Sequence, residues 1–170
     1  MDSQKFTALV KAYRAEMYKI AFCQTRNHAD AEDVTQEAFL RLFRYEKSFA
    51  SDEDCKAWLI RVTINCAKDL MKSHWYRFSR ALAEAPLLPK RETEKIEENE
   101  LIGSVMRLGK KYRTVLFLFY YSERSVNEIA DALGISPSTV TTRLSRGRDM
   151  LKKILESENE RSLDYVQKRI

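Results

Sequence analysis

A short stretch near the C-terminal end of the chain constrains the fold more than any other feature. Ser125 and Glu128 form an S-x-x-E capping box, the pattern that starts an α-helix. Gly134 stands where that helix must end, because glycine accepts the left-handed backbone conformation that is common there. Ser136 is a good N-cap for a second helix, and Pro137 fits its first turn because an N–H there would have no partner. The stretch therefore predicts a helix-turn-helix.

The second helix of this pair is strongly basic. Between positions 143 and 153, five Lys or Arg residues stand against one acid, Asp149, and hydroxyl side chains crowd the preceding turns. Arginine and hydroxyl groups reach phosphates and base edges, so we expect this helix to lie in the major groove of duplex DNA. The alternative is an ordinary helical hairpin with a solvated basic face, but caps, glycine, proline and charge together favour DNA binding. The candidate contacts are Ser136, Ser138, Thr139, Thr141, Thr142, Arg143, Ser145, Arg146 and Arg148.

A second basic helix is predicted in the first half, over residues 57–76. Four polar side chains recur at i, i+4, i+7 and i+11, which places them on one helical face. From position 56 to position 80 there are six Lys or Arg residues and one acid, with Trp75, Tyr76 and Phe78 among them. Aromatic rings beside cations suit unpaired bases, so this face favours single-stranded DNA, although a basic helix can also be a plain solvated face. The four residues are Arg61, Asn65, Lys68 and Lys72.

The rest of the chain also favours helices. Only 4 Gly and 3 Pro residues are present, which is too few for the many turns of a sheet protein, so the predicted fold class is all-α. Asp30 is the predicted N-cap of a helix over residues 30–43. Phe39, Leu40 and Phe43 fall partly off its inward stripe and leave apolar surface in need of a partner. The inward stripe of the next helix is predicted as Leu59, Val62, Cys66 and Leu70.

The chain divides into two small helical domains. Two of the three prolines, Pro86 and Pro89, lie between them, and proline stiffens a chain and blocks helix continuation. One apolar repeat runs from Val105 to Phe119 and opens the second domain. We expect a first domain over 1–80, a linker over 81–95, a second domain over 96–156 and a polar tail over 157–170 with little to hold it in place.

Several function classes are disfavoured. The three cysteines, Cys23, Cys55 and Cys66, are too widely spaced for a zinc site and are expected to be free, buried thiols. The chain has only two histidines and no glycine-rich phosphate-binding loop, which argues against an enzyme. We expect neither a metal nor a cofactor. The net charge of +5 is weak support for a polyanionic partner. No signal core or membrane span is evident, so we expect a cytoplasmic protein without membrane insertion.

Three segments resemble the extracytoplasmic-function (ECF) sigma factors of the sigma-70 family. Residues 30–43 (DAEDVTQEAFLRLF) and 49–72 (FASDEDCKAWLIRVTINCAKDLMK) are similar to region 2 of that family. Residues 112–153 (YRTVLFLFYYSERSVNEIADALGISPSTVTTRLSRGRDMLKK) are similar to its region 4. The resemblance implies a region 2-like helical bundle and a region 4-like helix-turn-helix domain. It also implies binding to core RNA polymerase and transcription initiation directed by the −10 and −35 promoter elements.

The resemblance further implies roles for matching positions. The helix over 30–43 would dock on the clamp helices of the largest polymerase subunit, and the flap would be a further polymerase contact. The basic helix of the second domain would bind the −35 duplex, where Thr141 stands at a position that is often basic in relatives. The implied polymerase contacts are Asp33, Gln36, Glu37, Leu40 and Phe43. The implied contacts to the single-stranded −10 element are Phe49, Ala50, Ser51, Arg61, Asn65, Lys68, Lys72, Trp75 and Arg77.

Two further expectations concern partners. The family usually works with an anti-sigma factor, so such a partner is implied here, and it would be the route by which the chain is held at a membrane. The alternative function is a helix-turn-helix activator or repressor that does not act as a polymerase subunit. Such a regulator needs a sensor or dimerisation half, whereas the first half of this chain offers a second basic helix with aromatic residues.

Overall fold

The computed structural model describes the backbone of residues 2–81 and 100–167 and the side chains of residues 2–73 and 103–157. Within those ranges every regular element is a helix, which confirms the all-α prediction. The predicted linker lies outside the described residues except for Ala81, which ends a helix. The helices are α1 Ser3–Thr25, α2 His28–Phe43, α3 Asp52–Ala81, α4 Glu100–Arg107, α5 Lys110–Tyr120, α6 Val126–Leu133 and α7 Pro137–Gln167.

Helices α1, α2 and α3 pack against one another and form the N-terminal domain. Met17 and Ile20 of α1, Leu42 of α2 and Leu59 of α3 are fully buried in its core. Burying each of these side chains contributes about 1.5–3 kcal/mol to folding, so the core holds the three helices in fixed positions.

Two helix boundaries in this domain differ from the predictions. Helix α2 begins at His28 rather than after Asp30, because the side chain of Asn27 accepts a hydrogen bond from the Asp30 N–H at 2.9 Å and caps the helix. Helix α3 begins at Asp52, well before the predicted position 57, because the Ser51 hydroxyl accepts from the Asp54 N–H at 3.1 Å. The acidic first turn of α3 adds a favourable interaction with the helix dipole.

Helices α4 to α7 form the C-terminal domain. The apolar repeat predicted as one run is divided, because α4 ends at Arg107 and Gly109 caps the start of α5 with an extended backbone. Helix α5 packs closely on α7, since a Cβ atom at Gly147 would lie 3.1 Å from Leu116 Cδ1. Helix α7 continues to Gln167, so its backbone extends through most of the segment predicted as a loosely held tail.

The two domains pack against each other through α1 on α5 and α3 on α6. This contact explains why the predicted inward stripe of α3 was incomplete. Ile60 and Ile64 are as buried as Leu59, whereas Val62 and Leu70 are only partly buried. Ile60 lines a small cavity with Leu118 and Ile129 of the C-terminal domain, so α3 is covered on a second side.

The three cysteines are free and buried, as predicted. Burial raises the pKa of the Cys23 thiol to about 12, although the charge of Arg113 opposes the shift. Over residues 2–81 and 100–167, no helix combines the length and the apolar character that crossing a bilayer requires.

Candidate nucleic-acid interface

The helix-turn-helix is built as the sequence predicts. The Ser125 hydroxyl accepts from the Glu128 N–H at 3.3 Å, and the Glu128 carboxylate accepts from the Ser125 N–H at 2.9 Å. The Ser125 hydroxyl also donates to the Glu128 carboxylate at 2.7 Å, and this hydrogen bond together with the one from the Ser125 N–H lowers the pKa of Glu128, so the capping box stays charged at neutral pH. Gly134 adopts the left-handed conformation with φ of 67°, and Ser136 caps α7 by accepting from the Thr139 N–H at 3.2 Å. The turn therefore fixes the direction in which α7 leaves α6.

The N-terminal part of α7 presents a polar and basic surface. Thr141 and Thr142 donate their hydroxyl hydrogens to the carbonyls of Pro137 and Ser138, at 3.1 and 2.9 Å. Their oxygens remain able to accept hydrogen bonds from outside the helix. The other side of α7 is anchored by Val140 and Leu144, which are buried. The exposed members of the predicted set are Ser136, Ser138, Thr141, Thr142, Ser145, Arg146 and Arg148, and the partly exposed members are Thr139 and Arg143.

A concavity of about 240 Å³ lies beside this surface. It is lined by Arg143 and Arg146 of α7 and by Lys111 and Tyr112 at the start of α5. Lys111 was missed by the sequence analysis, because its approach to α7 is a tertiary contact with no local signal. Three cations around one concavity make it suited to an anionic group such as a phosphate.

Helix α3 carries the second basic surface. Arg61, Asn65 and Lys72 are exposed, as their helical spacing predicts. Lys68 differs, because it is partly buried and its Nζ donates to the Leu133 carbonyl of α6 at 3.3 Å. Trp75 and Arg77 lie within the α3 backbone, but their side chains are outside the described part of the chain.

An aromatic cluster forms in the loop before α3. The Phe49 ring stacks on Tyr45 with centroids 4.9 Å apart and meets Trp58 of α3 edge-on at 5.6 Å. Ala50 and Ser51 are exposed beside it. The loop is therefore anchored to α3 by aromatic packing, and Tyr45 and Trp58 extend the aromatic surface beyond the single ring of Phe49.

Comparison with known families identifies both domains. Residues 9–77 match the model of sigma-70 region 2, and residues 99–151 match that of sigma-70 region 4. The ECF RNA polymerase sigma factor SigW of Bacillus subtilis (strain 168) is 31% identical over 170 aligned positions, which cover 91% of this chain and 90% of the relative. The chain belongs to the ECF group of the sigma-70 family. The regulator interpretation, in which the helix-turn-helix acts outside the polymerase, is not favoured by these matches.

Solved structures share the fold of this sigma factor. The sigma factor RpoE of Bartonella quintana, crystallised with the anti-sigma factor NepR, superposes with a TM-score of 0.73 at 19% identity, covering 90% of this chain and 98% of RpoE. CnrH, solved with the cytosolic domain of CnrY, gives a TM-score of 0.66 at 25% identity, covering 92% of this chain and 90% of CnrH. Both superpositions span the N-terminal and C-terminal domains together.

Helix α2 of this sigma factor presents the residues expected to contact polymerase. Leu40 and Phe43 are 46% and 51% exposed, which is high for large apolar side chains, whereas Phe39, expected beside them, is buried in the core. The Phe43 ring packs edge-on against Phe6 with centroids 5.1 Å apart, so the position of Phe43 is fixed although its outer side is exposed to solvent. Glu37 pairs with Arg41 at 2.8 Å. Asp33 and Gln36 are exposed about two turns and one turn, respectively, before Leu40.

Proposed function

We propose that this sigma factor binds core RNA polymerase through α2 and directs it to promoters through the basic surfaces of α7 and α3. The observation that carries the proposal is the presence of two cationic helical faces on two separate domains. Each face has the side chains that one form of DNA requires. A duplex needs a protruding capped helix, whereas a melted strand needs cations beside aromatic rings.

Helix α7 is proposed to bind the −35 duplex. Its exposed N-terminal turns carry hydroxyl groups beside Arg143 and Arg146, the combination that contacts phosphates and guanine edges. Lys111 lines the same concavity from α5 and would hold a phosphate of the flanking backbone. A bidentate arginine contact to guanine contributes about 1–3 kcal/mol of discrimination against the wrong base. Sequence selection should therefore depend on few residues.

Helix α3 and the preceding loop are proposed to hold the −10 strand. A line of side chains along α3 would follow the sugar-phosphate backbone, and Phe49 lies in the loop just before the same helix. The line consists of Arg61, Asn65, Lys68 and Lys72. Unstacking a base step costs a few kcal/mol, so a melted base must gain contacts that the duplex does not offer. Stacking on the Phe49 cluster and hydrogen bonding to Asn65 would supply them.

Docking on polymerase is proposed for the exposed face of α2. Leu40 and Phe43 form an apolar centre, and Asp33, Gln36 and Glu37 form a polar rim, which is the usual composition of a protein interface. The clamp helices of the largest subunit would meet this face, and the flap would meet the C-terminal domain. Catalysis would belong to the polymerase, so this chain needs no active site of its own.

An anti-sigma factor is also proposed as a partner. RpoE and CnrH, which share both domains with this chain, were solved with NepR and CnrY respectively. A cytoplasmic location would follow from binding polymerase, and a membrane-held anti-sigma factor would place the chain at the membrane surface.

Run-off transcription with purified core polymerase tests the proposal. Core enzyme with this chain should give discrete transcripts from a genomic fragment library, and the shared upstream sequences should show two elements. Transcripts that also require the polymerase's housekeeping sigma factor would instead indicate an activator. Failure of the chain to co-purify with core polymerase would contradict the proposal directly.

A further inference from the structure

A cavity of about 470 Å³ lies at the start of α5, where the two domains meet. Its volume is within the range of small-molecule sites in proteins. Lys68 of the N-terminal domain lines this α5 cavity together with three cations of the C-terminal domain, Lys110, Lys111 and Arg143. The cavity therefore has the size of a ligand site, and both domains contribute charge to its wall.

The charges around the α5 cavity are all positive. None of the residues that line it is acidic. Lys68 donates to the Leu133 carbonyl at 3.3 Å, which is a neutral acceptor. Among the side chains of residues 2–73 and 103–157, none of the four cations forms an ion pair with a carboxylate. Four cations around one recess without a counter-charge create a positive potential that attracts anions.

Lys110 is held where a positive charge is disfavoured. Desolvation by the surrounding atoms lowers its pKa, and the charges of Arg113 and Lys68 lower it further. Lys110 is also the first residue of α5, where the helix dipole opposes a cation. Folding gains nothing from this arrangement, and proteins accept such local costs mainly at functional sites. A bound anion would offset all three effects at once.

The backbone at the start of α5 also favours an anion. Gly109, which precedes the helix and lines the α5 cavity, has no side chain to accept hydrogen bonds from the first-turn N–H groups. Free N–H groups at a helix start bind phosphates well, because the helix dipole adds to their hydrogen bonds. Lys110 and Lys111 extend from the same turn, so backbone and side-chain donors lie close together.

The size of the charged surface indicates more than one phosphoryl group. Lys111 and Arg143 also line the concavity of about 240 Å³ beside α7, so the two recesses adjoin. A single phosphate would leave part of this surface without a counter-charge. A DNA duplex carries its phosphates on a wide, stiff cylinder, so it reaches the concavity beside α7 more readily than a recess where two domains meet. A small, flexible anion fits the α5 cavity better.

We propose that the α5 cavity binds a small anion with two or more linked phosphoryl groups, held by its four cations and by the first-turn N–H groups of α5. Two sources share this chemistry, inorganic polyphosphate and the triphosphate chain of a nucleotide. The anion would occupy Lys111 and Arg143, so it would compete with −35 duplex for them. The competition rests on the proposed function of α7, whereas binding of the anion does not and can be measured without DNA.

Isothermal titration calorimetry of the full chain tests the site with inorganic tripolyphosphate and with ATP. Wild type should bind at least one of them saturably and one-to-one, and the tighter of the two identifies the source. Sulfate at equal ionic strength is the control for general anion attraction and should bind far more weakly. No saturable binding of either phosphate compound, or equally tight binding of sulfate, would overturn the proposal.

Variants locate the anion. Lys110→Gln and Lys68→Gln each remove one charge-assisted contact, so each should weaken binding about tenfold. Lys153→Gln makes the same charge change at an exposed residue of α7 that lines neither recess, and it should bind as wild type does. Equal weakening by Lys110→Gln and Lys153→Gln would reduce the effect to net charge. Binding that depends on Arg146 but not on Lys110 would place the anion beside α7 and contradict the site.

Stability provides a second readout with an opposite sign. Without the anion, Lys110→Gln should unfold at a slightly higher urea concentration than wild type, because it relieves repulsion in the cluster. With saturating tripolyphosphate the order should reverse, since wild type binds the ligand more tightly and is stabilised more. An unchanged order in the presence of the ligand would argue that Lys110 does not contact it.

Run-off transcription with core polymerase separates failure of this site from failure of the proposed function. If no small anion binds but the chain directs transcription, the site is wrong and the sigma activity stands. If tripolyphosphate binds through Lys110 but the chain gives no transcripts, the anion site stands and the proposed function fails. If no small anion binds and Lys110→Gln weakens duplex binding as strongly as Arg146→Gln does, the DNA backbone fills the cavity and the proposal is refuted.

Discussion

The basic faces of α3 and α7 have similar chemistry but different surroundings. Within the part of the chain that the structure describes, no other element lies over the exposed turns of α7 around Arg146, and these turns border an open concavity. The basic face of α3 is bordered by α6, and Lys68 there is already hydrogen-bonded to another domain. The difference teaches that charge alone does not decide which surface is available to DNA. A cation whose donor is already engaged must first lose that contact, so the two faces should respond differently to mutation.

The largest expected effect comes from reversing a charge on the exposed basic face of α7. Arg146→Glu removes a candidate base or phosphate contact and adds repulsion, so binding of −35 duplex and promoter output should each fall by about 10- to 100-fold. Electrophoretic mobility shift and run-off assays would measure the losses. Lys153→Glu, which lies farther along α7, is the control and should have a much smaller effect. Equal losses in the two variants would mean that α7 contributes only general charge.

A substitution on the basic face of α3 should affect promoter opening rather than duplex binding. Asn65→Ala removes an exposed polar contact without touching the domain seam, so open-complex formation by the holoenzyme should fall about tenfold. Duplex binding by the free chain should stay unchanged. Permanganate footprinting of unpaired thymines measures the first quantity, and the neighbouring Asp69→Ala serves as the control. A comparable loss of duplex binding by the free chain would place Asn65 in the wrong interface.

The buried thiol of Cys23, next to the contact between α1 and α5, should make stability sensitive to alkaline pH. The pKa of Cys23 is raised by burial to about 12 from 9.0, so above pH 9 the unfolded chain loses a proton that the folded chain keeps. The contribution of the protonated thiol to the free energy of unfolding should therefore be complete below pH 9. Between pH 9 and about 12, the free energy of unfolding should fall by about 1.4 kcal/mol per pH unit. Urea unfolding of wild type and Cys23→Ala at several pH values isolates this slope. Identical slopes would show that Cys23 ionises freely in the folded protein.

The smallest expected effect concerns the turn before α7, which sets the direction of the basic face of that helix. Ser136→Ala removes the hydroxyl that caps α7, which should lower the stability of the C-terminal domain by about 1 kcal/mol. Urea denaturation followed by circular dichroism would detect the shift in midpoint. Ser136→Asp retains an acceptor and should restore most of the loss, whereas failure of that rescue would assign the effect to packing instead.

The features that the sequence predicts correctly are local ones. The capping box, Gly134 and Ser136 act over three or four residues, so their pattern is visible in the chain itself. The start of α2 was predicted wrongly because Asn27 and Asp30 are both good capping residues, and only the folded backbone decides between them. The roles assigned to individual DNA-contacting residues remain predictions, since they follow from chemistry and family resemblance.

Contacts between the domains could not be predicted from spacing. Arg124 and Glu53 are 71 positions apart, and neither residue carries a pattern that names the other. The burial of Ile60 was missed for the same reason. Helix α3 already has one apolar stripe that faces its own domain, and the sequence does not show that a second side of the helix packs against the C-terminal domain. Such long-range pairings depend on how completed domains fit together.

Because α6 follows α3 in the chain, the contacts that α6 makes with α3 form only after α3 has been synthesised. The N-terminal domain ends at Ala81, and α6 ends at Leu133, about 50 residues later. At 5–20 residues per second, a ribosome needs roughly 3–10 seconds to add that length. During each round of translation the Lys68 ammonium therefore lacks its hydrogen-bond acceptor in α6 for several seconds, while the nascent chain is still attached to the ribosome.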